Sequence, residues 1–394
     1  MPTTDKKNLT LYFILFASFG FFIRFWVSQF GYNHDFAAWE YNLLMFQENK
    51  SVYEYGDYTY SPIWINILNI LDLLKIPFLE DSLLADKIPG SSYRIKIILF
   101  LSLIDFFIFF LLYKNYSLTV GLLFFLNPIS IIITGHHNQF SAFALLIGFL
   151  SVLLYEKDKS KNKIIFPLFL LGLSISIKHI LFFFPLWWAI KEKKFVNKIL
   201  IIVIPYSIFI LSFAPYLIND LDHVINKLLS DGNRYDGPFW GMFGSKIIHM
   251  YFNIKILFII IIVFLGFVFE NKKLRESFFL YTIAIVVFSS TMYTQYLMIP
   301  LIALAVFWNW KYFLYCFLVF LVFLVDGDQL NIQIFREQLD WNLRSTRISF
   351  YPIILILFFG FIENTVGKKN FNLFFSKIYK YLRNKIKSQL NYYS

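Results

Sequence analysis

The sequence predicts an all-α protein that threads a membrane many times, on three observations. Of its 394 residues, 58% are hydrophobic and 22% aromatic, including 51 Phe. Charged residues make up 15%, too few to give a soluble protein of this length a polar shell. Apolar runs separated by short polar breaks fill nearly the whole chain. One polytopic transmembrane domain over 1–366 is expected, followed by a basic tail over 367–394. The single cysteine, Cys316, excludes a disulfide framework within one chain and any cysteine-based metal cluster.

The runs are Leu9–Phe30, Pro62–Phe78, Ile95–Tyr113, Thr119–Thr134, Phe140–Tyr155, Ile164–Ile177, Ile180–Ile190, Lys198–Phe213, Tyr251–Phe269, Phe278–Met292, Leu297–Trp310, Tyr312–Val325 and Ile348–Ile362. A helix needs about 20 residues to cross a bilayer. The shorter runs are therefore expected to be tilted, broken or re-entrant. The first run is too long for a signal peptide, and no small-residue cleavage site follows it.

Lys and Arg in short loops mark the cytoplasmic side. Lys6 and Lys7 precede the first run. Lys157, Lys159, Lys161 and Lys163 share one loop, Lys191, Lys193 and Lys194 the next, and Lys272, Lys273 and Arg275 a third. All are expected inside. The tail holds seven basic residues and no acid. Its Phe371, Phe375, Ile378, Leu382 and Ile386 recur at helical spacing, as in a basic amphipathic helix on an anionic leaflet. Seven of the +11 net charges thus belong to the tail, leaving +4 for the rest. That balance speaks for membrane orientation and against nucleic acid as a partner.

With both termini inside, an odd number of runs cannot all cross. Pro62–Phe78 and Thr119–Thr134, the latter interrupted by Asn127-Pro128, are the suspects, which leaves roughly 12 spans. Gly31–Ser61, Pro215–Met250 and Asp326–Arg347 then face outward. Ile164–Ile190 reads as a hairpin of short helices with Lys178-His179 at its outer tip. Phe278–Trp310 reads as another, with Tyr293-Thr294-Gln295-Tyr296 at the tip.

Polar chemistry gathers on the outer side. His34, His136, His137, His179, His223 and His249 all fall in or beside outward segments, and the inner loops hold no histidine. In the first outer segment Phe36, Trp39, Leu43 and Phe46 recur at helical spacing, so a short interfacial helix is expected there. Asp35 opens it, either as an N-cap or as a general base at a partly desolvated boundary. His136, His137 and Gln139 lie between apolar runs, where each needs partners. Hydrogen bonding suits them better than a metal, which would want a third ligand, so no metal is expected. Lys178 stands deep in an apolar run. It either meets an anion or a water-filled cavity, or snorkels to the interface. Arg234, in the Gly- and aromatic-rich stretch Asp231–Gly244, suits phosphate oxygens or a surface pair with Asp231 or Asp236.

These residues carry a family resemblance. Asp35, Gln47–Tyr53 and Tyr58-Thr59-Tyr60-Ser61-Pro62 resemble the first outer loop of bacterial polyprenol-phosphate-mannose-dependent mannosyltransferases, of the GT-C membrane glycosyltransferases. Ser61 stands where that family has a first Pro, and Asn49-Lys50 where it has a Gly. The stretches NP…GHHNQF…GLSISIKH and YTQYLMIPLIAL are similar to later motifs of such enzymes, in order, over most of 10–310. The resemblance implies a GT-C-like helical bundle with interfacial helices in the first outer loop and an outward site in a bacterial plasma membrane. It implies a polyprenyl-phosphate sugar donor and a glycan, lipid or protein acceptor. Asp35 maps onto the catalytic base, with Glu40 and Asp57 as candidates for a second carboxylate. Lys178, Arg234, His136 and His137 would stabilise the departing phosphate. Gln139, His179, Tyr60 and Gln295 complete the expected binding set. No P-loop or Rossmann signature is present, which fits a lipid-linked donor and asks for no cofactor. The competing expectation is a transporter or flippase of lipid-linked saccharides, which would more often place charge at mid-membrane.

Overall fold

The computed structural model describes residues 3–56, 58–77, 87–90, 92–157, 164–218, 220–230, 237–242, 253–325, 330, 346–367 and 370. Among them all regular secondary structure is helical and there is no strand. The helices are α1 (Thr3–Val27), α2 (His34–Gln47), α3 (Ile63–Leu73), α4 (Ser92–Asn115), α5 (Leu118–Phe125), α6 (Pro128–Gly135), α7 (Ser141–Lys157), α8 (Ile165–Ile177) and α9 (Phe184–Lys191). They continue as α10 (Phe195–Leu211), α11 (Leu221–Ser230), α12 (Pro238–Met242), α13 (Ile254–Val268), α14 (Leu274–Val287), α15 (Leu301–Val306), α16 (Trp310–Val325) and α17 (Thr346–Val366). Short 3-10 turns occupy Ser28–Phe30, His179–Leu181 and Thr294–Met298. The Arg234 loop, Asp57, His249 and almost all of the basic tail lie outside the described residues.

Two stretches are long and apolar enough to cross a membrane by length and composition, Leu11–Phe30 and Ser92–Asn115. The pair α5–α6 makes a third if counted as one span bent by 47°. Its break is written locally. Pro128 lacks an N–H and is tolerated only in a first turn, and the Asn127 side chain caps the new helix by accepting from the Ile129 N–H. Further apolar helices are shorter, as in α3, α8, α10 and α13. The protein is thus a helical bundle compatible with a membrane.

The bundle has two chemically distinct ends. At one, the Arg275 side chain donates to Glu156 at 2.9 Å and to Asn115 at 3.4 Å. The Lys191 ammonium there caps the carbonyls of Phe269, Glu270 and Lys272, and Tyr155 donates to Glu192. The described loop cations Lys157, Lys191, Lys193, Lys194, Lys272, Lys273 and Arg275 therefore gather at a single end, as the charge pattern predicts. Phe13 stacks on Phe109 at 4.9 Å, which sets the beginning of α1 beside the end of α4. At the opposite end lie Gly31, Arg94, 136–141 and Lys178.

The two suspect runs separate cleanly. Near the end of α3, Gln47 donates to Asp72 and Lys96 donates to the Asp72 carbonyl, while at its beginning Ser61 donates to the Ser176 carbonyl. Both ends of α3 thus stay at the Gly31 end. By contrast, α5–α6 leads from Asn115 at the basic end to Gly135, where an added Cβ would lie 2.5 Å from the Arg24 carbonyl. The glycine permits that close approach of α6 to α1.

α1, α4 and α6 are joined by an ion pair with no exposure on either side chain. Arg24 donates to Asp105 Oδ2 from Nη2 at 3.0 Å and from Nε at 3.2 Å. Ser130 and Thr134 donate to the same oxygen at 3.1 and 2.7 Å. Arg24 also reaches the carbonyls of Gly20 and Phe125. Removing one member strands a buried charge, which costs about 3–5 kcal/mol. Arg24→Ala or Asp105→Ala is expected to lower stability by about that amount. Arg24→Met with Asp105→Leu should recover most of the loss. Thermal unfolding in detergent, followed by reactivity of the buried Cys316 thiol, checks both outcomes.

Candidate functional site

Asp35 lies in the first turn of α2 but is not its cap. Asn33 is the cap: its Oδ1 accepts from the Asp35 N–H at 3.1 Å, and its Nδ2 donates to Asp35 Oδ2 at 3.0 Å. The capping alternative for Asp35 is thus corrected, and its carboxylate is released for other contacts. Phe36, Trp39 and Leu43 bury one face of α2, as their spacing predicts.

The loop joining α6 to α7 brings the second component. Asn138 adopts φ +55°, a left-handed conformation that Asn tolerates better than most residues. Its side chain donates to the Thr134 carbonyl and accepts from Arg94 Nε at 2.9 Å. This turn delivers Gln139, whose Nε2 donates to Asp35 Oδ2 at 2.7 Å. The opposite side of the same amide, Oε1, accepts from Lys178 Nζ at 3.1 Å. Lys178 also donates to Ser141 Oγ at 3.0 Å. A carboxylate and an ammonium are thereby linked through one neutral amide. An amide has both a donor and an acceptor side, so one orientation satisfies both charges.

Lys178 is 3% exposed, so it does not snorkel. It sits where α8 ends and the 179–181 turn begins, the predicted hairpin tip. Its Nζ lies 4.8 Å from the Phe140 ring centre and 5.3 Å from that of Tyr60. Such cation–π contacts favour a cation held away from water. Behind these rings Trp64 stacks on Phe140 at 4.2 Å, and Trp39 packs edge-on against Phe140. His179 stacks over Tyr60 at 5.8 Å and is exposed. Asp35 is half-buried, and no described residue donates to its Oδ1.

Asp35, Gln139, Lys178, Tyr60 and His179 therefore converge. His136 and His137 are buried beside this group rather than in it. His136 lies near Gly31, and His137 faces Phe323. Gln295 is buried in the 294–298 turn, which packs on α6 and α7, and is not bonded to the Asp35–Lys178 link. Among the described residues no three His, Cys, Asp or Glu side chains stand close enough to hold a metal.

Arg94 is the principal residue missed by the sequence reading. It is fully buried. Its guanidinium donates to the carbonyls of Ser28, Gly31, Pro89, Gly135 and His136, as well as to Asn138. Tyr32 and Phe36 lie over it at 5.3 and 5.5 Å. The usable signal was its position one residue before an apolar run, where an arginine needs partners. Arg24 and Asp105, inside two such runs, gave the same signal more plainly.

Lysine keeps the charge of arginine but not its planar five-donor fork. Arg94→Lys is expected to cost at least about 2 kcal/mol, since hydrogen bonds to charged groups contribute about 1.5–3 kcal/mol each. Unfolding of the variant in detergent, compared with the parent, measures this. Comparison of the chain with protein-family models finds no match, and comparison with curated proteins finds none either.

Proposed function

We propose that this protein is a membrane glycosyltransferase of GT-C type. It moves a hexose, mannose first among candidates, from a polyprenyl-phosphate donor to an acceptor hydroxyl at the outer face. The observation that carries this reading is the Asp35–Gln139–Lys178 link. It joins a half-exposed carboxylate to a buried cation at the end of the bundle opposite the basic loops.

The chemistry is one inverting displacement. Asp35 accepts the proton of the acceptor hydroxyl as its oxygen bonds to the anomeric carbon. The bond from that carbon to the phosphate oxygen breaks, and the polyprenyl phosphate leaves with the electron pair. A phosphate leaves without a general acid, but its charge needs stabilising, and a preorganised cation supplies that. Lys178 has that role, with Arg234 as a second cation from the outer loop. Tyr60 and His179 form the stacked wall against which a sugar ring packs. The bundle crosses the membrane roughly 12 times, with α2 and α3 lying at the outer boundary and both termini inside.

A transporter of lipid-linked saccharides is the second reading, and the buried Arg24–Asp105 pair is what favours it. That pair is bonded to Ser130, Thr134 and two backbone carbonyls, which suits a tie between helices better than a transport site.

Purified protein supplied with labelled polyprenyl-phosphate mannose or glucose is expected to transfer label to an acceptor. Movement of intact donor across vesicles without transfer sinks the proposal. Asp35→Asn should lower kcat by about 10²–10⁴ while donor binding persists. Lys178→Met should lower it by about 10²–10³. Unchanged turnover in Asp35→Asn removes the base assignment. A cysteine introduced at Ser160 should label only from the inside, and labelling from outside inverts the orientation.

A further inference from the structure

We infer that α11 is an interfacial helix, seated with its uncovered apolar stripe in the boundary between lipid tails and headgroups at the mouth of the site. This rests on the membrane setting and not on the transfer reading.

α11 has two faces. Leu221, Val224, Ile225 and Leu228 fall within one arc at helical spacing, and Asp222, His223, Asn226 and Lys227 occupy the other side. The apolar arc is itself divided. Val224 is 2% exposed and, with Leu228, packs on the core of the bundle. Leu221 and Ile225, one turn apart, remain 45% and 43% exposed. Ile218, in the turn before α11, is 89% exposed. The protein's own core thus covers half of the apolar arc and leaves the other half bare.

The uncovered half continues an existing lipid-type surface. On α10, Val196, Ile199, Val203 and Ile210 are all exposed at spacings of one or two turns. They form a stripe about 21 Å long at 1.5 Å per residue. That is most of the thickness of a hydrocarbon layer. α10 starts at the basic end and finishes at the other. There the stripe passes through Leu211 to Ile218, Leu221 and Ile225. A helix with one apolar and one polar face, placed where a lipid-facing stripe ends, matches the pattern of helices lying in the interface plane.

The α10–α11 corner also reaches toward the site through Tyr53. Phe213 and Tyr216 pack against the Tyr53 ring at 6.3 and 5.0 Å. Tyr53 in turn donates to the Tyr60 carbonyl at 2.6 Å, and Tyr60 lies against Lys178. Tyr53 and Tyr60 thus connect the α10–α11 corner to Lys178.

The test uses full-length protein with Cys316→Ser, carrying single nitroxide-labelled cysteines in nanodiscs of phosphatidylcholine and phosphatidylglycerol. Leu221→Cys and Ile225→Cys should collide with oxygen several-fold more than with a water-soluble nickel complex. His223→Cys should show the reverse preference. Equal nickel access at all three positions overturns the inference, because α11 then stands in water. Protection of 221 and 225 from both reagents also overturns it, because protein rather than lipid then covers the stripe. Neither result bears on whether Asp35 and Lys178 perform transfer.

Discussion

The end of the bundle that holds the site depends on Arg94. Helices leave their last carbonyls without intrahelical donors, and the partial negative charge there attracts a cation. α1 with its 3-10 extension and α6 both finish at this end. Arg94 answers the carbonyls of Ser28 and Gly31 from the first, and of Gly135 and His136 from the second. One planar guanidinium thus closes two helix ends that would otherwise repel one another. Its Nε fixes Asn138 in the same stroke, and Asn138 is the residue whose left-handed turn aims Gln139. The position of the amide between Asp35 and Lys178 therefore follows from a residue that touches neither.

Three of the buried cations, Arg24, Arg94 and Lys178, are treated differently, and the difference is chemical. Arg24 bonds its carboxylate directly, and that carboxylate receives two hydroxyl donors as well. Such an arrangement fills Oδ2 of Asp105 with donors and suits a tie. Arg94 meets only oxygens of neutral groups among its hydrogen-bond partners. Lys178 stands one amide away from Asp35. A direct pair would occupy both the proposed base and the proposed phosphate cation. An intervening Gln139 keeps each oriented while leaving Oδ1 of Asp35 without a described donor.

Much of this was legible in the sequence. The all-helical bundle follows from apolar runs and scarce charge. The common end of Lys157, Lys191 and Arg275 follows from the loop bias. Lys178 at a hairpin tip and Gln139 beside paired histidines are readable because polar groups in apolar surroundings need partners. What the sequence leaves open has a physical cause in each case. Asn33, rather than Asp35, caps α2 because either side chain can accept at a helix start, and only the fold decides which one does. Pro62–Phe78 and Thr119–Thr134 look alike in hydropathy. They differ in where their ends are bonded, which is a matter of pairing between distant segments. The Arg94 cage consists mainly of backbone carbonyls, whose positions leave no trace in residue identity.

The breaks in the helices explain how a site this polar is accommodated at all. Non-helical backbone at membrane depth is tolerated where protein covers it or where it lines a cavity. Here the chain breaks at Asn127-Pro128, at 178–181 and at 294–298, and each break has a bonding partner. Asn127 caps its own break with a side chain. The 179–181 turn packs on α7 and α8, and Tyr281 donates to the Ile180 carbonyl at 3.0 Å. The 294–298 turn packs on α6 and α7, and Tyr315 donates to the Leu297 carbonyl at 2.7 Å. Two tyrosine hydroxyls from neighbouring helices thus do for these carbonyls what Arg94 does for α1 and α6. Short helices are the consequence, and they are also what lets Lys178 end α8 within reach of Gln139. A continuous helix through 165–191 would carry Lys178 along its side, with no turn to present it and no stacked His179 beside Tyr60.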